Sequence, residues 1–145
     1  MVFAIMLSFI LFTFAAGVLN ITTKEMNFST SGKNSDNAFY AADSGIECAL
    51  FNDMTGKNVF VEKGPETVSC FGEKISLKEN FPDFDFVVLS LGQDGQSCAK
   101  VMVEKSLIGI SQETIITSKG YNLGGTESCN QLGLNSIERV LEVRY

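Results

Sequence analysis

The sequence predicts an α+β fold: a long N-terminal α-helix, transmembrane in its first half, packed on a small antiparallel β-sheet. Three observations predict it: an uncharged apolar run at the start, a following stretch with small residues at helical spacing, and a second half cut into short β-type runs by turn residues. A chain of 145 residues accommodates one compact domain and one further element, so a single core is expected.

The first element is read from Val2–Leu19, VFAIMLSFILFTFAAGVL, which holds no charge and is apolar on every helical face apart from Ser8, Thr13 and Gly17. About eighteen such residues approach the length that crosses a bilayer. Phe3, Met6, Ile10, Phe14 and Gly17 mark this segment, and its limits are set at residues 1–21. A secretory signal peptide is the rival reading, since Ala15-Ala16-Gly17 offers small residues for cleavage. No basic n-region stands ahead of the apolar run in these residues, so the anchor is preferred, with a few further residues expected upstream. A domain this small has nothing in which to bury such a helix, so it must meet lipid or other copies of itself.

After Leu19 no proline interrupts the chain up to Lys33, and the helix is expected to continue through residues 22–50. Within it, Ala38, Ala41, Ala42, Gly45, Ile46 and Ala49 fall on one helical face, while Asp36, Tyr40, Asp43 and Glu47 share the other. Small residues permit close backbone approach, so this stripe is expected to pack on the chain's own sheet. Unbroken from Met1 to Leu50, such a helix spans ~75 Å at ~1.5 Å per residue. The Ser-, Thr-, Asn- and Gly-rich segment Met26–Asp36 has weak helix propensity and is the place in this helix where a kink or melted turn could form.

Residues 51–145 read as the sheet domain, with strands expected at Asn58–Glu62, Thr67–Phe71, Asp85–Leu91, Cys98–Glu104, Glu113–Ser118 and Glu138–Tyr145. The clearest pair is FVVLSL with CAKVMVEK, joined by a turn containing Asp94-Gly95. Ala99, Val101 and Val103 alternate with Lys100, Met102 and Glu104, as in a strand with one buried face.

Composition narrows the chemistry. Eleven Lys and Arg against seventeen Asp and Glu give a net charge of -6, which argues against nucleic acid as a partner. There is no histidine, so the usual general base and commonest metal ligand are missing and most familiar hydrolase mechanisms are excluded. Glu79, Asp83 and Asp85 surround Phe81, Phe84 and Phe86, a pattern read as a loop entering a buried strand. Asp94 lacks the spaced acidic ligands of a calcium loop. No catalytic residue, metal or cofactor is assigned.

The four cysteines, Cys48, Cys70, Cys98 and Cys129, are widely spaced, with no Cys-x-x-Cys pair, and fit two disulfides in an oxidising compartment. Three pairings are open. Linking neighbouring elements favours Cys48 with Cys70 and Cys98 with Cys129. The loop Lys119–Ser136, rich in turn formers and carrying Cys129, is the candidate binding segment should the protein act as an anchored or secreted binding module or adhesin.

The apolar start, then Ala38-Phe39-Tyr40-Ala41-Ala42-Asp43-Ser44-Gly45-Ile46-Glu47, then a sheet ending in Ile137-Glu138-Arg139-Val140-Leu141-Glu142-Val143, resembles the PilX-type minor pilins and, more broadly, the type IV pilin and pseudopilin superfamily. The match covers roughly the first fifty residues and is architectural beyond them. An acidic residue, usual in the family's apolar start, is not found in Val2–Leu19. The resemblance implies a non-enzymatic, single-pass inner-membrane subunit whose helix meets lipid before assembly and other pilin subunits in the filament core afterwards. Its sheet domain would then lie outside the cytoplasm and be displayed at the cell surface.

Overall fold

The computed structural model describes residues 2–55, 59–92, 94–108, 111–124, 129 and 136–145, with the side chains of 107, 108, 111 and 112 excepted. The chain divides into two compact units, Met1–Lys33 and Asn34–Tyr145. One helix, α1 (Val2–Met54), contributes to both.

Helical geometry runs through Met26–Asp36 without a melted turn, as the continuation of the helix through residues 22–50 requires, despite the weak propensity of this segment. No proline removes a backbone donor from the segment, and the threonine hydroxyls find acceptors within the helix. Thr22 Oγ1 donates to the Val18 carbonyl at 2.9 Å and Thr30 Oγ1 to that of Met26 at 2.9 Å.

The described residues of the second unit form two sheets. A hairpin pairs β1 (Thr67–Cys70) with β2 (Glu73–Ser76). A five-stranded antiparallel meander runs in chain order through β3 (Lys78–Asn80), β4 (Asp83–Leu91), β5 (Ser97–Ile108), β6 (Ser111–Tyr121) and β7 (Glu138–Arg144). Each strand therefore pairs with its sequence neighbour. The alternation noted above sets the faces: Phe84, Phe86 and Val88 of β4, Ala99, Val101 and Val103 of β5, and Ile116 and Ser118 of β6 are buried. Ile46 and Ala49 of α1 join these strands in one core.

Several elements differ from expectation. Val59–Glu62 is not a strand; a turn in which the Gly64 amide donates to the Val61 carbonyl at 2.9 Å curls the chain there, with Lys63 at φ 58°. Position 58 lies outside the described residues. Val59 and Phe60 are apolar because they plug the core, where the Phe60 ring sits 5.7 Å from Phe84 and 6.2 Å from Phe86. β2 and β3 were not anticipated, being short, polar and mostly exposed. β6 runs on to Tyr121, so Lys119, Gly120 and Tyr121 belong to the sheet rather than to a loop.

Polar contacts fasten the end of α1 to the sheet. Lys105 Nζ on β5 lies 2.7 and 2.6 Å from the Asp53 carboxylate oxygens, and Tyr145 Oη donates to Asp53 Oδ2 at 2.6 Å. Burial and this hydrogen bond both push the Tyr145 phenol up from its ordinary value.

Candidate functional site

Within the first unit the apolar segment is uncovered on all sides. Phe3, Met6, Ile10 and Phe14 are 78, 63, 55 and 70% exposed, and no atom lies within 4 Å of a Cβ built on Gly17. Their neighbours Phe9, Leu11 and Phe12 are equally open, so no single stripe is distinguished. The best 18-residue window has a mean hydropathy of 2.5 and none of it is buried. By length and composition this helix can cross a membrane. Its hydroxyls suit that environment: Ser8 Oγ donates to the Ala4 carbonyl and Thr13 Oγ1 to that of Ile10, both at 2.8 Å, leaving neither proton unsatisfied in lipid.

In the second unit the stripe Ala38, Ala41, Ala42, Gly45, Ile46 and Ala49 is buried against the chain's own sheet. Two glycines set the closeness of this contact. A Cβ on Gly45 would meet Ser118 Oγ and lie 2.8 Å from Val101 Cγ2, and one on Gly120 would strike the Ala38 carbonyl oxygen and the Ala42 amide nitrogen. Ser118 Oγ is buried at this contact without a hydrogen-bond partner among the described residues. Asp36, Phe39, Tyr40, Asp43 and Glu47 lie exposed on the outward side of the same helix.

The cysteines pair as Cys48–Cys70 and Cys98–Cys129, and none is free. The first joins α1 to β1. One turn after Cys48, the buried Asn52 donates from Nδ2 to the Ser69 carbonyl at 3.0 Å and accepts at Oδ1 from the Ser69 amide at 3.2 Å. The second disulfide fixes Cys129 beside β5, in space that Gly124 leaves open; a Cβ at 124 would collide with Cys98 Sγ. Asn122 closes the base of the same loop, accepting at Oδ1 from the Ile137 amide at 2.6 Å. Of the candidate binding loop Lys119–Ser136, residues 125–128 and 130–135 lie outside the described residues.

A cavity of about 550 Å³ opens on the sheet face turned away from α1. Its floor is apolar, with Val87 and Leu89 of β4 and Met102 of β5, and its charges are Lys78, Lys100, Lys119 and Asp85. Lys100 Nζ sits 5.8 Å from the centre of the Tyr121 ring. Burial, and then a hydrogen bond to Glu138, pushes the Tyr121 phenol up to about 12. Sequence reasoning saw Lys100 and Met102 as the exposed set of β5 but not this cavity, which requires the register that sets Lys100 opposite Lys119 and Val87 opposite Lys100.

The acidic and aromatic residues around Phe81 do not converge. Phe84 and Phe86 enter the core while Asp83 and Asp85 take the other face of β4, and Glu79 Oε1 accepts from the Lys63 amide at 2.9 Å. Among the described residues no group of three or more His, Cys, Asp or Glu side chains could hold a metal ion. Compared with known proteins, the chain matches no family model, no curated sequence and no solved structure.

Proposed function

We propose that this chain is a structural or assembly subunit of a type IV pilus or related secretion filament, a minor-pilin or pseudopilin-like protein held through its N-terminal helix. The observation that carries the reading is Val2–Leu19, an apolar helical segment exposed on every face, in a chain whose other unit closes its own core. Apolar surface costs about 25 cal/mol per Å² in water, so a segment of this length requires lipid or other helices around it. The two disulfides support a sheet domain outside the cytoplasm, where thiols are oxidised. The stripe from Ala38 to Ala49 is occupied by the chain's own sheet, which leaves the apolar segment as the surface for partner subunits.

Expression of the full chain in a bacterial envelope, followed by fractionation and thiol counting under denaturing, non-reducing conditions, tests the reading. Membrane retention without free thiols is expected. A soluble protein with four reactive thiols contradicts both the anchor and the compartment. A chain retained in the membrane that never enters sheared filaments, yet binds a surface ligand lost on exchange of the 119–136 loop, would instead be an anchored binding module.

A further inference from the structure

The sheet edges of the second unit are protected unequally. The β1 edge is capped by Asn52, whose amide takes up the N–H and C=O of Ser69. β3, at one end of the meander, is three residues long, carries Lys78, and has Glu79 accepting from the Lys63 amide. Shortness and lysine are ordinary devices against further strand pairing. β7 has neither: its seven residues keep unbroken register with β6, without lysine, proline or bulge, and among the described residues no strand pairs with its other side. α1 lies over β5 and β6, where a Cβ on Gly45 would meet Ser118 and Val101 and one on Gly120 would meet Ala38 and Ala42, so the helix leaves that edge clear.

The ladder fixes which groups face outward. Thr114 and Tyr145 exchange both of their backbone bonds, at 2.8 and 3.1 Å, and the Asn122 amide donates to the Ile137 carbonyl. Bonded and non-bonded pairs alternate along an antiparallel ladder, so Arg139, Leu141 and Val143 bond to β6 as well. The N–H and C=O groups of Glu138, Val140, Glu142 and Arg144 therefore point to the free edge, where an extended backbone is their natural partner.

We infer that this edge pairs with β7 of a second copy, antiparallel and centred on Leu141, joining two five-stranded sheets into one. Outward groups pair only with outward groups, which leaves three registers. Centred on Val140, Glu138 faces Glu142 of the second copy; centred on Glu142, the two Glu142 side chains face each other. Like charges directly opposite one another destabilise a sheet. Centred on Leu141, all four outward residues pair, Glu138 with Arg144 and Val140 with Glu142. Arg144 keeps its own Glu142 at 2.6 Å and Tyr121 its Glu138, so the main chain carries the contact and the charges only select the register. The contact is isologous and closes at two copies. Arg139 reaches Ser35 and Tyr145 reaches Asp53, so β7 runs in the direction of α1, and the two Asn34 ends leave the pair at opposite ends. A filament repeats through contacts that do not close, so this pairing goes beyond the filament reading and does not rest on it.

The test uses the full chain in dodecyl maltoside micelles, with a benzophenone photo-crosslinker at Val140 and unlabelled and 15N-labelled copies mixed. Mixed-isotope adducts from position 140 to residues 140–144 of the other copy are expected. Without the crosslinker, the amides of Glu138, Val140, Glu142 and Arg144 should exchange about tenfold more slowly at high than at low protein concentration, while those of Arg139, Leu141 and Val143 do not change. Val140→Pro removes an outward donor that β6 does not use; it should keep both disulfides and the thermal midpoint and lose the concentration-dependent protection. Chains carrying Arg144→Glu and chains carrying Glu138→Arg each set like charges opposite, so each alone should lose the adducts and an equal mixture should regain them, which also shows that both fold. Exchange independent of concentration, adducts that map elsewhere, or no recovery on mixing overturns the inference. Membrane retention and entry into sheared filaments are read separately, so the filament reading stands or falls on its own.

Discussion

Asn52 does for β1 what a neighbouring strand does elsewhere in the sheet: its amide pairs with both the N–H and the C=O of Ser69. Replacing it with leucine removes these partners from the part-buried N–H and C=O of Ser69 and leaves its own buried position without the hydrogen bonds. The Asn52→Leu protein should be less stable by about 2–3 kcal/mol in urea unfolding with the disulfides intact. The glycines at the helix–sheet contact separate by what a new methyl would touch. Gly45→Ala meets the ends of Ser118 and Val101, which can shift, at about 1–2 kcal/mol. Gly120→Ala meets the backbone of Ala38 and Ala42, which cannot, and should cost about 3 kcal/mol or more. Equal losses in the two variants would show that helix and sheet separate freely. Tyr121 supplies a pH dependence. Its folded pKa of about 12 exceeds the ordinary 10.0, so its neutral form is favoured by folding and the unfolded chain releases that proton first. The contribution is complete below pH 10 and is lost as pH rises towards 12. Urea midpoints should fall between pH 10 and 12 more steeply for the native chain than for Tyr121→Phe; parallel curves would contradict the burial and Glu138 contact assigned to the phenol.

At the scale of elements, what was legible followed from periodicity. Ala38, Ala41, Ala42, Gly45, Ile46 and Ala49 lie at helical offsets, and that part of α1 buries those six. The β4–β5 pair announced itself through alternation and the turn at Asp94-Gly95, with Gly92 and Gly95 both at positive φ. The β1–β2 hairpin was hidden because its two-residue turn is Phe71-Gly72, at φ 52° and 85°. Both positions require the left-handed region, for which Asn-Gly is the recognisable signal and a phenylalanine is not. Phe71→Asn should therefore stabilise the hairpin by about 1 kcal/mol, read as a higher thermal midpoint; a lower one would mean that the exposed ring contributes something beyond the turn. Val59 and Phe60 misled for the opposite reason, being apolar like a strand yet buried from an irregular segment. The cavity on the outer sheet face was invisible because Lys78, Lys100 and Lys119 come from three strands and meet only through register.

The whole molecule joins two different solutions to burying apolar surface. Residues 34–145 close a core of helix and sheet, tightened by disulfides at Cys48–Cys70 and Cys98–Cys129. Residues Val2–Leu19 bury nothing within the chain, and their requirement for lipid or partner helices is the physical basis for reading the protein as an assembling, membrane-held subunit. That apolar run was the plainest feature of the sequence, since an uncharged run of this length needs no tertiary context to be recognised. What covers it is the central claim. The most direct measurement places a photo-crosslinker at Ile10 of the full chain in an enveloped bacterium, shears the surface filaments, and identifies the adducts by mass spectrometry. The account predicts recovery of the chain in the sheared fraction with Ile10 joined to the apolar helix of another subunit. Recovery only in the membrane fraction, with adducts to lipid alone, or in the soluble fraction with no adducts, would contradict it.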